Sequence, residues 1–173
     1  LYLFRRHLAD SGGPGRFRGG SSGELAYVVH DAPEGQLEVS FSGTGAELPN
    51  ALGLSGGLPG AAIRVLRIRQ SDVRERLAGG RPLPASLDEM RGQRETMPQK
   101  HPRTPFLSDE VWYHHWQGGA GYGDPLDRDP GAVARDVRRR LTSLDCAGLI
   151  YGVVLTPDGS VDPEGTKRER ERI

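Results

Sequence analysis

The chain has 173 residues, of which 35% are apolar, and glycine and proline number 25 and 13. Lysine plus arginine and aspartate plus glutamate stand at 23 each, so no net field draws the chain to nucleic acid or to an anionic membrane. An ordinary globular domain carries roughly half as much glycine and proline and is ~45–50% apolar, so much of this chain is loop around a thin core, as in part of a larger body.

The longest apolar run, Ala147 to Leu155, falls well short of the ~20 residues that span a bilayer. No charged-apolar-small leader opens the chain, so no secretory signal is expected. The lone Cys146 forms no internal disulfide, suits a reducing cytosol, and reads as a small apolar residue on a helix face.

Leu1 to Leu8 starts apolar and then mixes, as a strand leaving a sheet does. Asp10 to Gly20 is turn-rich; within it Arg16 and Arg18 share one side of an extended run and Phe17 faces the other. Flanked by glycines, the two guanidinium groups either grip a carboxylate or phosphate or bind backbone carbonyls and the acids of a neighbouring subunit. Glu24–His30 and Gln36–Ser42 read as strands, and Asp31–Gly35 between them favours an antiparallel hairpin. A second glycine-rich crossing, Gly43 to Gly60, leads into a strand over Ala61–Ile68. Its imperfect alternation of apolar and basic residues points to an edge or half-buried position. From Gln70 to Lys100 the chain is polar: a short helical turn over Ser71–Leu77, then an extended arm lying over a surface.

Val111–Trp116 is an aromatic strand with His114 and His115 side by side. Adjacent strand residues face opposite ways, so these histidines do not readily share an ion, and the spacing of His7, His30 and His101 suggests no further ligand. Packing of aromatic residues on both faces of a buried strand is the reading adopted. Gly118–Gly123 and the following Asp-Pro pairs form a built loop between strand and helix. That is the plan of a phosphate-binding turn, but Asp124 stands where a dinucleotide fingerprint needs its third glycine. No Gly-Lys-Ser/Thr follows, and Asp124, Asp127 and Asp129 repel phosphate. Asp129 caps a helix opened by Pro130, with Ala132, Val133, Val137 and Leu141 as its apolar stripe, and Ser143 caps a second. A hairpin over Gly152–Val161 and a charged tail, Pro163–Ile173, helical or frayed, complete the chain.

No complete catalytic set is visible. The groups nominated for a substrate pocket are Arg16, Arg18 and Asp124, each with a competing role in holding loops; Asp124 before Pro125 suits an Asx turn.

Asp10–Gly20, Gly53–Gly60 and the Gly118–Pro130 loop with Tyr151–Leu155, in this order, resemble the C-terminal part of the hydantoinase B family. These are the large subunits of ATP-dependent hydantoinases and oxoprolinases and of ketone carboxylases acting on acetone or acetophenone. The reading is an α+β, β-rich chain with antiparallel strands, long Gly/Pro-rich loops and short C-terminal helices. It is one C-terminal-type domain over 1–173: a β-rich part, 1–70; a charged arm, 71–108; and the glycine loop, helices and terminal hairpin, 109–173. The family's large subunits are several times longer, which implies a fragment or a split subunit. The resemblance implies a cytoplasmic complex with a hydantoinase A-like nucleotide-binding subunit, the remainder of a hydantoinase B-like subunit, and a small-molecule substrate. ATP and a divalent metal (Mg, Mn or Zn) are expected in the partners, with no cofactor on this chain. The implied activity is hydrolysis of cyclic amides; the alternatives are ketone carboxylation and a non-catalytic assembly role.

Overall fold

The computed structural model describes residues 1–46, 48–98 and 100–173; Glu47 in the second glycine-rich crossing and Gln99 in the charged stretch lie outside the described residues. The fold is α+β and β-rich, with antiparallel strands and a few short helices. The chain divides into two compact units, one of Leu1–Arg6, Gly23–Leu48 and Ile63–Trp116, the other of His7–Ser22, Pro49–Ala62 and Gln117–Ile173.

The first unit holds strands β1 (Tyr2–His7, apart from its last residue), β2 (Gly23–Tyr27), β3 (Glu38–Ser42), β4 (Arg64–Arg69), β5 (Gln93–Thr96), β6 (Lys100–Pro105) and β7 (Val111–His115), and helix α1 (Val73–Ala78). Five strands form a sheet in the order β1-β2-β7-β4-β5, and β3 and β6 pair as a separate ribbon. β7 is central, and its period of two sends Val111 and Tyr113 to one face and Trp112 to the other. On the first face Ala26, Val28, Leu66 and Ile68 pack with Val73 of α1 and Met90; on the other, Val65, Trp112 and Ile63 pack with Val39, Phe41 and Phe106 of the ribbon side. The aromatic strand is therefore buried on both faces, as its composition implies.

Three expectations need correction. β2 and β3 do not form a hairpin: β2 pairs with β7, Glu24 opposite His115 and Tyr27 opposite Trp112, whereas β3 pairs with β6. Asp31, in the left-handed region at φ 52°, turns the chain away, and β7 with apolar residues on both faces is the better partner for β2. β4 is no edge strand: it lies between β7 and β5, with Arg67 inside because it brings its counterion, Glu110 Oε1 at 2.6 Å, and stacks over Trp112. The stretch read as an arm over 71–108 is largely built in: α1 and Met90 cover the sheet, and β5 and β6 each pair with a strand.

In the second unit a 3₁₀ turn, Pro125–Asp127, precedes α2 (Pro130–Arg138), α3 (Leu144–Leu149) and α4 (Pro163–Arg172). The sequence signals the first two of the three caps. Asp129 accepts from Gly131 and Ala132 N–H, Ser143 Oγ accepts from Cys146 N–H, and Asp162 accepts from Gly165 N–H. Val133, Ala147, Tyr151 and Val153 make the core, and Leu155 bridges Val161 to close the hairpin. The tail is helical. Among the described residues no helix is long and apolar enough to cross a membrane.

Candidate functional site

The three glycine segments, far apart in sequence, interlock within the second unit. Ala61 N–H donates to Ser11 C=O at 2.8 Å and Gly118 N–H to Ala61 C=O at 3.0 Å; Gly13 N–H reaches Gly119 C=O at 2.8 Å; Leu58 N–H reaches Pro14 C=O at 2.7 Å, and Gly121 N–H reaches Leu58 C=O at 2.9 Å. A ladder three strands wide forms where Tyr122 pairs antiparallel with Phe17 and parallel with Leu54. Glycine is required here by proximity: a Cβ on Gly118 would lie 1.6 Å from Ser11 C=O, and one on Gly121 would lie 1.9 Å from Pro14 C=O. With side chains excluded from the inside, the ladder turns Phe17, Tyr122 and Leu54 outward, 60%, 53% and 70% exposed.

Arg18 and Asp124 are occupied internally. Arg18 Nε donates to Asp136 Oδ2 at 3.0 Å and its Nη1 to Gly19 C=O and Ser21 Oγ. Asp124 accepts from Leu126 N–H at 2.9 Å, the Asx turn its sequence suggests. Arg16 is exposed, has no carboxylate partner among the described residues, and curls to place its Cζ 5.7 Å from the Phe17 ring centre. The start of α2 offers no free anion cradle, since Asp129 takes its Gly131 and Ala132 N–H groups.

Residues the sequence reading passed over complete the setting. Asp136 is buried and holds a second guanidinium, Arg128 Nη2 at 2.8 Å, while Arg128 Nη1 donates to Arg16 C=O and its Cζ lies 6.0 Å from the Tyr151 ring. The available signal was an acid on the apolar side of α2, three residues after Val133 and next to Val137. Burial pushes the Tyr151 hydroxyl and the Cys146 thiol each up to about 12, so both stay protonated at neutral pH.

The first unit brings together two buried histidines that the sequence gives no reason to pair. His101 of β6 stacks on Phe41 and His114 of β7 on Trp112, His114 also meets Phe41 edge-on, and Tyr27 Oη lies 3.0 Å from His114 Nε2. Among the described residues no group of three or more His, Cys, Asp or Glu is placed to hold a metal ion. Desolvation, with repulsion from His101, lowers His114 to about 4. His101 Nε2 and His114 Nδ1 are buried with no hydrogen-bond partner among the described residues, so a proton added there meets nothing that receives its charge. Unfolded histidine titrates near 6.5, so the unfolded state takes up the proton first. Stability is then full above about pH 6.5 and falls as pH drops toward 4, by on the order of 3 kcal/mol. Urea midpoints at pH 7.0 and 4.5 are expected to show this loss in the wild type, and a smaller one in His114→Gln, which keeps an acceptor for Tyr27. An equal loss in both would place the acid sensitivity elsewhere.

The Hydantoinase B/oxoprolinase family matches the chain over residues 2–125. The acetone carboxylase alpha subunit of Xanthobacter autotrophicus (strain ATCC BAA-1158 / Py2) is 32% identical over 189 residues, a match covering 100% of this chain and 24% of that protein. Caprolactamase subunit beta of Pseudomonas jessenii is 32% identical over 163 residues, covering 94% and 24%, respectively. The acetophenone carboxylase delta subunit of Aromatoleum aromaticum (strain DSM 19018 / LMG 30748 / EbN1) is 30% identical over 161 residues, covering 88% and 23%. Among solved structures, nucleotide-free acetone carboxylase superposes with a TM-score of 0.80 at 30% identity, over 99% of this chain and 24% of that one. The ATP-dependent caprolactamase from Pseudomonas jessenii superposes with a TM-score of 0.60 at 27% identity, over 97% and 25%. The chain spans about a quarter of the length of these relatives and corresponds to their C-terminal portion. It is a member of the hydantoinase B/oxoprolinase family.

Proposed function

We propose that this chain works as part of a cytoplasmic, ATP-dependent complex that carboxylates a ketone. Its glycine-locked loops present Arg16 to the anionic species formed after activation, and Arg18 and Asp124 hold those loops in place. The observation that carries the reading is the match to acetone carboxylase over 99% of the chain at a TM-score of 0.80. These relatives are subunits by name, which supports partners here: a hydantoinase A-like nucleotide-binding subunit and the remainder of a hydantoinase B-like subunit. ATP and a divalent metal, Mg, Mn or Zn, belong in this reading to those partners.

A second reading, hydrolysis of a cyclic amide such as a hydantoin, a lactam or 5-oxoproline, rests on the 32% identity to caprolactamase subunit beta. The superposition on caprolactamase, at a TM-score of 0.60, gives this reading less support than the first has.

The assembly purified from its source is the material for the test. Native mass spectrometry is expected to find the chain with a nucleotide-binding subunit and a second large chain. With ATP and labelled bicarbonate, acetone or acetophenone should gain a carboxylate. ATP-dependent lactam or hydantoin opening without bicarbonate incorporation would favour the second reading, and a stable lone monomer would overturn both. Arg16→Ala is expected to lower kcat/KM about tenfold or more with an unchanged urea midpoint, because the side chain is exposed.

A further inference from the structure

We infer that the β3–β6 ribbon is an acid-released flap: on acidification it lifts from the sheet and uncovers Phe41, Phe106 and Trp112, while the five strands beneath stay paired. The device lies wholly within the first unit and does not depend on which reaction the complex runs.

β3 and β6 pair with each other and share no ladder with the sheet, so the layer between ribbon and sheet is side chain on side chain. Val39, Phe41 and Phe106 pack there against Val65 and Trp112. A histidine stands on each side of that layer, His101 from β6 and His114 from β7, only 6% and 4% exposed. His101 Nε2 and His114 Nδ1 have no hydrogen-bond partner among the described residues. Phe41 of the ribbon meets both rings, its centre 6.1 Å from His101 and 5.5 Å from His114. Among the described residues no carboxylate is placed to receive a proton's charge in this layer. Glu110 is taken by Arg67, which lies over the Trp112 ring, and Glu24 lies on the opposite face with Tyr113 and Arg6. Glu38 of β3 and Lys100 and Arg103 of β6 are exposed to water. The Tyr27 hydroxyl beside His114 Nε2, pushed up to about 12 by burial, is neutral. Closing the ribbon over a protonated His114 therefore buries a charge beside His101 with no counterion, whereas lifting it returns both imidazoles to water. The sheet survives the loss because its other face has its own core, in which Ala26, Leu66, Ile68, Val111 and Tyr113 pack with Val73 and Met90. Gly35 and Gly45, at φ 78° and 83°, flank β3 and supply the joints.

The test is hydrogen exchange, read by mass spectrometry on the assembly from its source and corrected for the intrinsic pH dependence of amide exchange. An imidazole that titrates near 6.5 in water and near 4 under the closed ribbon makes opening about twentyfold more favourable at pH 5 than at pH 7. Protection of β3 and β6 is expected to fall by about that factor between pH 7 and pH 5, while β2, β4 and β7 keep theirs. In His114→Gln, which keeps an acceptor for Tyr27 and does not titrate, the ribbon should change less than about threefold. The wild type alone can overturn the inference: a ribbon that keeps its protection at pH 5 is no flap, and equal loss in ribbon and sheet means that the whole unit opens. An undiminished loss in His114→Gln would take the trigger away from this histidine and overturn it as well.

Discussion

Gly118→Ala is expected to unfold the second unit. The added Cβ would fall 1.6 Å from Ser11 C=O and 3.1 Å from Ala61 N, both main-chain atoms of the crossing that Gly118 itself closes. Overpacking against side chains usually costs about 1–3 kcal/mol because rotamers give way, but here the backbone would have to move and break the Ser11–Ala61 and Ala61–Gly118 hydrogen bonds. The expected loss is on the order of 4 kcal/mol or more, read as collapse of the urea transition or as insoluble protein. Gly148→Ala in α3 is the control: its Cβ meets nothing within 4 Å, and the gain in helix propensity should stabilise by up to about 1 kcal/mol. Equal behaviour of the two variants would show that the crossing tolerates a side chain and that proximity does not require glycine at position 118.

Asp136→Ala comes next in size. Its Oδ2 receives Arg18 Nε at 3.0 Å and Arg128 Nη2 at 2.8 Å, and the three side chains are 12%, 13% and 14% exposed. Two guanidinium groups share one carboxylate, so removing it leaves both with only carbonyl, hydroxyl and ring contacts. Breaking a buried pair from one side costs about 3–5 kcal/mol, because the charges left behind are desolvated and unpaired. Asp136→Asn keeps an acceptor oxygen and should fall between the wild type and alanine. Urea unfolding of the three proteins checks the order; a fall of less than about 1 kcal/mol in the alanine variant would mean that the cluster relaxes into water.

Local chemistry was legible in the sequence, and pairing across long separations was not. Asp129-Pro130 and Ser143 announce their helices because a cap and the N–H groups it satisfies lie within three residues. The buried character of β7 shows in Trp112 and Tyr113 alone. β2 turned to β7 and not to β3, since a five-residue turn permits a hairpin without enforcing one. Arg67 reads as an edge residue until Glu110 is placed beside it. Arg18 looks like a ligand group because its partner stands 118 residues away. The meeting of His101 and His114 depends on a ribbon packing over a sheet, which no spacing encodes. That the glycine segments belong together was visible through family resemblance, and that they touch needed coordinates.

The crossing of Ser11, Ala61 and Gly118 also governs when the second unit can form. Its pieces, His7–Ser22, Pro49–Ala62 and Gln117–Ile173, are separated by long stretches that belong to the first unit. During synthesis the first glycine segment leaves the ribosome before the other two, and it has no complete set of hydrogen-bond partners until the third has emerged. Such distant loop closures are slow, so formation of the second unit is expected to be the late, rate-limiting step in folding these residues.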